Sequence, residues 1–282
     1  MRFTKLQALG NDFIVVPPGE RPAAATAAGL ALRVCERRTG AGADGLILLD
    51  APADEPGVWA FRVFNCDGSE AGISGNGLRA AAGCLLHRGL ARPGRLVFRT
   101  AVGERSCDIK VNGPGSYEVL LFFPEPAFRS DLIPFEDGTP HERVFDHPIT
   151  VGGRALRITC VSVGNPHCGA FYDEFPPVAE LLELGAAVEN SRFFPERTNV
   201  EFIRVLGRDE IEVVFWERGV GRTMASGTGA CAAAVAAMVN GRTAEKVRVR
   251  TELGGLTVEW RPGSGIRQLG PVEVVYDGEL PA

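Results

Sequence analysis

Two segments of this chain spell the same local instructions. Residues 64–85, FNCDGSEAGISGNGLRAAAGCL, and residues 214–238, VFWERGVGRTMASGTGACAAAVAAM, each pass from an apolar stretch through a glycine-rich turn into Ser-Gly-x-Gly and an alanine-rich helix. Ser74 and Ser226 stand 152 positions apart (226 − 74). A serine before a helix is a favoured N-cap and glycine permits a tight turn, so one such segment would be ordinary. Two in matching context predict a duplicated architecture. Each helix is small and apolar around most of its circumference, which marks a buried helix, and alanine lets strands approach it closely from several sides. Each half is therefore expected to wrap a curved sheet around its own central helix.

Short runs rich in strand formers fill the rest: RFTKL, GLILLD, WAFRVF, RLVFRT, SYEVLLFF, RITCVSV, TNVEFIRVL, IEVVFW, KVRVRTE, LTVEW and VEVVY. Glycine, proline, asparagine and aspartate punctuate them, as in a sheet-rich scaffold. Helical patterning is confined to residues 23–38, 77–88, 177–189 and 228–239. The expected class is α+β, with two pseudo-symmetric domains, each a curved mixed sheet around a central helix. The Pro-rich segment 122–140 separates the halves. The expected division is 1–125 with about 268–282 for the first domain, its last strand returning from the C-terminus, and 126–267 for the second.

Composition narrows the function. Hydrophobic residues make up 45% and charged residues 23% of 282, values of a folded globular chain rather than a disordered one. A net charge of −5 with both signs interspersed offers no broad cationic surface, which argues against nucleic acid and anionic membranes as partners. No apolar run approaches the roughly 20 residues that span a bilayer, and the expected location is the cytoplasm. Seven cysteines without CxxC spacing argue against a disulfide framework or a zinc knuckle. Four histidines, at 87, 141, 147 and 167, form no HExxH or comparable pattern, so no metal is expected. There is no signature for pyridoxal phosphate or a nicotinamide, and no cofactor is expected.

What remains is organic acid–base chemistry at the helix starts. A helix N-terminus presents unpaired N–H groups and the positive end of a dipole, a ready cradle for a carboxylate. If two such starts flank one substrate carbon, one side chain removes a proton and the other delivers one to the opposite face, which inverts a stereocentre.

In order along the chain, KLQALGNDFIVV, RRTGAGADGLILL, FNCDGSEAGISGNGLR, VSVGNPHCG, FPERTNVEFI, WERGVGRTMASGTGACAAA and GGLTVEW resemble the diaminopimelate epimerase family over nearly the full length. The resemblance implies a cofactor-independent isomerase that interconverts LL- and meso-diaminopimelate on the route to lysine and peptidoglycan, and a homodimer. It assigns substrate binding to Asn11, Asn65, Asn165 and Asn199, whose amides donate to carboxylates and accept from ammonium groups without adding charge. Arg218 takes the distal carboxylate, for which a guanidinium is well shaped. Glu217 lies near the proton-transfer site and the ammonium group, and His167 is a further catalytic candidate. Backbone N–H groups of Gly75, Asn76, Gly227 and Thr228 cradle the α-carboxylate.

One departure matters. Where the family carries two catalytic cysteines, this sequence has Ser74 and Ser226. A thiol near pKa of about 8.5 can be lowered several units at a helix start. A hydroxyl is far less acidic, and helix-dipole effects of roughly 0.3–2 kcal/mol do not close the gap. The serines therefore need a partner base, and Glu217, His167 and Asp67 are the candidates. Two alternatives stand beside an active epimerase. One is a related racemase, isomerase or dehydratase in which other groups, such as Cys66, act. The other is an amino-acid-binding homologue without catalysis. Cys84 and Cys231 are expected inside the two helices as packing thiols, and Cys168 on the opposite side of its strand from His167.

Overall fold

The computed structural model describes residues 1–22, 26–51, 55 and 57–280. The chain divides into two compact units, Met1–Phe122 with Leu269–Ala282, and Phe123–Gln268. In the first run β1 (Arg2–Ala8), β2 (Asn11–Val16), α1 (Ala27–Cys35), β3 (Gly45–Asp50), β4 (Val58–Asn65), β5 (Glu70–Ala71), α2 (Gly75–His87), β6 (Gly94–Thr100), β7 (Gly103–Gly113) and β8 (Ser116–Phe123). The second holds β9 (His147–Val151), β10 (Arg154–Ser162), β11 (Pro166–Tyr172), α3 (Val178–Glu189), β12 (Asn199–Val205), β13 (Glu210–Glu217), β14 (Gly221–Thr223), α4 (Gly227–Val239), β15 (Lys246–Thr251) and β16 (Gly254–Glu259). β17 (Ile266–Glu279) then carries the chain back to the first unit.

Within the first unit the ladder runs β1–β2 antiparallel, β2–β3 parallel, β3–β4 antiparallel, β4–β6 parallel, then β6–β7 and β7–β8 antiparallel. β17 pairs with both β8 and β1, which closes the strands on themselves. Closure leaves no free edge. The second unit repeats the order and sense of pairing: β10–β11 antiparallel, β11–β12 parallel, β12–β13 antiparallel, β13–β15 parallel, β15–β16 antiparallel. The class is thus α+β, two repeats of one curved mixed sheet, as the duplicated motif predicts.

α2 and α4, 13 residues each, occupy the middle of their sheets. Asn76–Leu85 of α2 and Gly229–Ala237 of α4 are buried on every side. Small residues make this fit: a methyl group at Gly83 would stand 3.0 Å from Leu6 and 3.2 Å from Val272. Cys84 and Cys231 are buried packing thiols, and burial pushes Cys84 up to about 12. Cys168 faces the core of its unit, opposite Cys160.

The other two helices are one-sided. α1 buries Ala27, Leu30, Ala31, Val34 and Cys35, the stripe of a surface helix, and Thr26 caps it by accepting from Gly29 N–H at 3.2 Å. Residues 23–25 of the expected helical window lie outside the described residues. α3 lays Leu181, Leu184 and Val188 on its sheet. It needs a glycine at 185, where a Cβ would come within 2.8 Å of the Trp216 ring. Among the described residues no helix is long and apolar enough to cross a membrane.

Candidate active site

In the first unit the site is built at the start of α2. Ser74 is extended (φ −141°, ψ 124°) and caps the helix, its Oγ accepting from Gly77 N–H at 3.0 Å and its carbonyl from Leu78 N–H at 2.8 Å. The N–H groups of Gly75 and Asn76 precede the first intrahelical bond and remain for a ligand. Among the described residues no acceptor stands within hydrogen-bond reach of the Ser74 hydroxyl proton.

Asn11 follows a two-residue hairpin turn, Leu9-Gly10, whose positive φ values (52° and 84°) match the twist of the flanking strands. Its amide is fixed by a directional chain. Arg79 donates to Asn76 Oδ1 (2.5 Å), Asn76 Nδ2 to Asn11 Oδ1 (3.2 Å), and Asn11 Nδ2 to Asp44 Oδ2 (2.8 Å). Arg37 bridges Asp44 and Asp12 at 2.7 and 2.9 Å, and Lys5 reaches Asp12 at 2.9 Å. Burial pushes the Asp12 carboxyl up, but these two cations hold it below its usual range. Asn65 is exposed at the end of β4 and donates to Ser69 Oγ at 2.9 Å. Asp67, a candidate base, is taken up by Ser69, whose hydroxyl and N–H bonds hold its carboxyl low. Cys66 is exposed beside it.

The second unit repeats this with different chemistry. Ser226, 4% exposed, caps α4 by accepting from Gly229 N–H at 3.2 Å, and its hydroxyl donates to Glu217 Oε2 at 3.2 Å. The N–H groups of Gly227 and Thr228 remain for a ligand, while Gly227 C=O accepts from Gln268 at 2.6 Å. Arg218 follows Glu217 in a turn closed by Gly219 and Gly221 at φ 76° and 93°. Its guanidinium donates to Glu196 C=O at 3.1 Å. Asn199 spends both ends of its amide on the frame, donating to Pro166 C=O (2.7 Å) and accepting from Arg218 N–H (3.0 Å).

His167 is 1% exposed with both ring nitrogens engaged: Nδ1 lies 2.6 Å from Glu201 Oε1 and Nε2 lies 3.0 Å from Asn165 Oδ1. Its hydrogen bonds go to Glu201 and Asn165 rather than to Ser226 or Glu217. Burial pushes the Glu201 carboxyl up, with His167 pulling the other way. The short contact needs one proton between the two groups. Glu201 runs beneath the first turn of α4, where a Cβ on Gly229 would be 3.0 Å from Oε1.

Two carboxylates that support the site were not singled out from sequence. Glu201 sits inside the apolar run NVEFI, and a charge in that phase of a buried strand is itself a signal, because it must be paired. Glu189, at the end of α3 and 4% exposed, accepts from Trp216 Nε1 at 2.7 Å and Gly219 N–H at 2.8 Å, and so pins both sides of Glu217 and Arg218. Nothing in its local sequence distinguishes it. The repeat places Phe13 and Ile47 where the second unit has His167 and Glu201, and Asn65 where it has Glu217. Among the described residues only the second serine has a carboxylate partner.

A family model described as diaminopimelate epimerase matches residues 3–119 and 159–275. The chain is 42% identical to the diaminopimelate epimerase of Pelotomaculum thermopropionicum over 100% of its own length and 99% of the relative, and 42% identical to that of Moorella thermoacetica with the same coverage. Among solved structures, a phenazine biosynthesis protein of the PhzF family from Bacillus anthracis superposes with a TM-score of 0.69 at 15% identity, covering 100% of this chain and 99% of the other. A hydroxyproline epimerase from Agrobacterium vitis gives 0.65 at 17% identity, covering 99% and 91%. These two likenesses establish the fold.

Proposed function

The chain belongs to the diaminopimelate epimerase family, and from that membership we propose that it interconverts LL- and meso-diaminopimelate by moving the proton on one α-carbon, a step toward lysine and peptidoglycan. The observation that carries the chemistry is the Ser226 hydroxyl donating to Glu217 beside an open helix N-terminus. In this reading the α-carboxylate takes N–H groups from Gly75, Asn76, Gly227 and Thr228. Ser226 Oγ removes the α-proton as its own proton passes to Glu217, and the electron pair left on carbon is delocalised into the bound carboxylate. Coupling the two transfers avoids a free alkoxide, which the helix dipole alone could not stabilise.

Ser74 is proposed to deliver the proton to the opposite face and to draw its replacement from solvent. Arg218 takes the distal carboxylate, and Asn11, Asn65 and Asn165 orient the α-amino acid end. Asn199 acts by fixing the Arg218 backbone. Glu217 also faces the ammonium group. The reading includes a cytoplasmic homodimer that works without a cofactor, as the family resemblance implies.

One observation favours a second reading. Among the described residues Ser74 has no carboxylate partner, as a binder that retains the pocket without turnover would have no need of one. Incubating the protein with LL-diaminopimelate and separating the diastereomers distinguishes the two. Appearance of the meso form above a protein-free control supports the epimerase. Ligand-induced thermal stabilisation without any meso product supports the binder.

A further inference from the structure

Sequence spacing gave no metal motif, yet the fold of the second unit gathers Asp137, His141 and His147 so that one ligand atom from each lies within 4.8 Å of the others. We propose that these three side chains form a binding site for a zinc-class divalent cation that ties the connection between β8 and β9 to the sheet.

Each ligand is held by independent structure. Asp137 opens a tight turn, its Oδ1 accepting from Thr139 N–H at 3.0 Å, with Gly138 at φ 95°. His141 is pinned to the 3-10 turn Ser130–Leu132 by two bonds to Ser130: its N–H donates to Ser130 Oγ at 3.0 Å and its carbonyl accepts from Ser130 N–H at 2.9 Å. His147 begins β9 and is registered against Ile158. Just before it, Asp146 is clamped by Arg157 at 2.8 Å and by Thr159 at 3.1 Å. Phe135 forms the floor, 6.0 Å from the His141 ring and 5.4 Å from His147, and stacks in turn on Phe193 in the core.

The donor set has the right chemistry and charge. His141 Nε2 and His147 Nε2 each lie 3.0 Å from the Asp137 carboxylate. In a tetrahedral zinc site with bonds of about 2.0–2.1 Å, neighbouring ligand atoms are roughly 3.3 Å apart. To admit an ion the two contacts to Asp137 open by about 0.3 Å, and the histidine nitrogens, within 4.8 Å of each other, settle at the same roughly 3.3 Å. Two imidazoles and one carboxylate suit zinc and its late first-row neighbours, whereas magnesium and calcium prefer all-oxygen shells. The side chains are 18–22% exposed, which leaves a path for the ion and a fourth position for water. Without a cation, the same atoms are an aspartate hydrogen-bonded to His141 with His147 at ion-pair distance, and the experiment separates these states.

The full-length protein, freed of metal with a chelator and returned to buffer, is titrated with zinc chloride by calorimetry, and its melting temperature is followed. One equivalent of zinc should bind and raise the melting temperature. His141→Gln and His147→Gln should each weaken binding at least tenfold and remove the thermal shift, while Cys66→Ser, which deletes the exposed thiol, should change neither. Cobalt(II) as a second probe should give the intense visible bands of a tetrahedral site in the parent protein and not in His147→Gln. No stoichiometric zinc binding, binding that survives both histidine substitutions, or loss of binding with Cys66→Ser would overturn the proposal.

Discussion

The Ser226 hydroxyl donates to Oε2 of Glu217 at 3.2 Å while its oxygen accepts from Gly229 N–H at 3.2 Å. One atom thereby caps α4 and is coupled to a base, and the two roles can be separated. Glu217→Gln keeps an oxygen that accepts from Ser226 but removes the base. General-base catalysis typically contributes about 10²–10⁴-fold. The turnover rate for diaminopimelate should fall by a factor in that range, with a melting temperature close to that of the parent. A variant that keeps full turnover would remove Glu217 from the proton path.

The capping role has its own signature. Replacing a serine N-cap by alanine costs about 1 kcal/mol, and by glycine only a few tenths. Ser74→Ala and Ser226→Ala should each lose that much stability in denaturant titrations, and the two glycine variants should nearly recover it. If the serines carry protons, the glycine variants remain inactive despite their stability. Glycine variants as active as the parent would leave both serines as caps alone.

Glu201 gives the fold a pH dependence. Its folded carboxyl titrates above the ordinary glutamate value of about 4.3, because burial disfavours the charged form, with His167 partly offsetting this. Over the interval between the two values the folded chain holds a proton that the unfolded chain has released. That stabilisation is complete below the unfolded value and is lost as pH rises through the folded one. Unfolding free energies measured across this interval should fall with pH in the parent relative to Glu201→Gln. Parallel profiles would mean that Glu201 does not titrate differently on folding.

Two glycines at the start of α4 should respond oppositely. A Cβ at Gly229 would lie 2.9 Å from Phe215 and 3.0 Å from Glu201, whereas at Gly227 its nearest neighbour is Gln268 at 3.8 Å. Overpacking costs about 1–3 kcal/mol, so Gly229→Ala should be destabilised by that amount. Gly227→Ala should stay within about 0.5 kcal/mol. Equal melting temperatures for the two variants would count against the close seating of α4 on Glu201.

The duplicated helices were legible because their signal is local. Serine, glycine spacing and an alanine face specify cap, turn and burial together, and α2 and α4 begin at Gly75 and Gly227, each directly after its serine. β2 and β11 were not, for opposite reasons. β2, NDFIVV, opens on two polar residues and then runs apolar through FIVV with no alternation to mark it. β11, PHCGAFY, opens on proline and carries Gly169, where a Cβ would stand 3.0 Å from Ile203. Both pair in parallel inside their sheets, where neither face meets water. At the site, sequence pattern named the groups that face a ligand better than the groups that brace them. Glu201 and Glu189 act through contacts 34 and 27–30 residues away in the chain, and no motif spans such distances. The Asp137, His141 and His147 cluster was hidden similarly, since a turn and a strand start supply its ligands.

Proton NMR in D₂O with LL- and meso-diaminopimelate, run on the parent protein, Glu217→Gln and Ser74→Cys/Ser226→Cys, follows proton transfer at the α-carbon itself. The parent should lose the α-proton signal above the protein-free rate. For one diastereomer, the one whose proton faces Ser226 and Glu217, that exchange should outpace inversion, because Ser74 has no carboxylate partner among the described residues. Glu217→Gln should suppress the exchange. Absence of α-proton exchange from both diastereomers in the parent would contradict a serine–glutamate base, and exchange confined to the cysteine variant would show a pocket of the epimerase kind whose serines do not transfer protons.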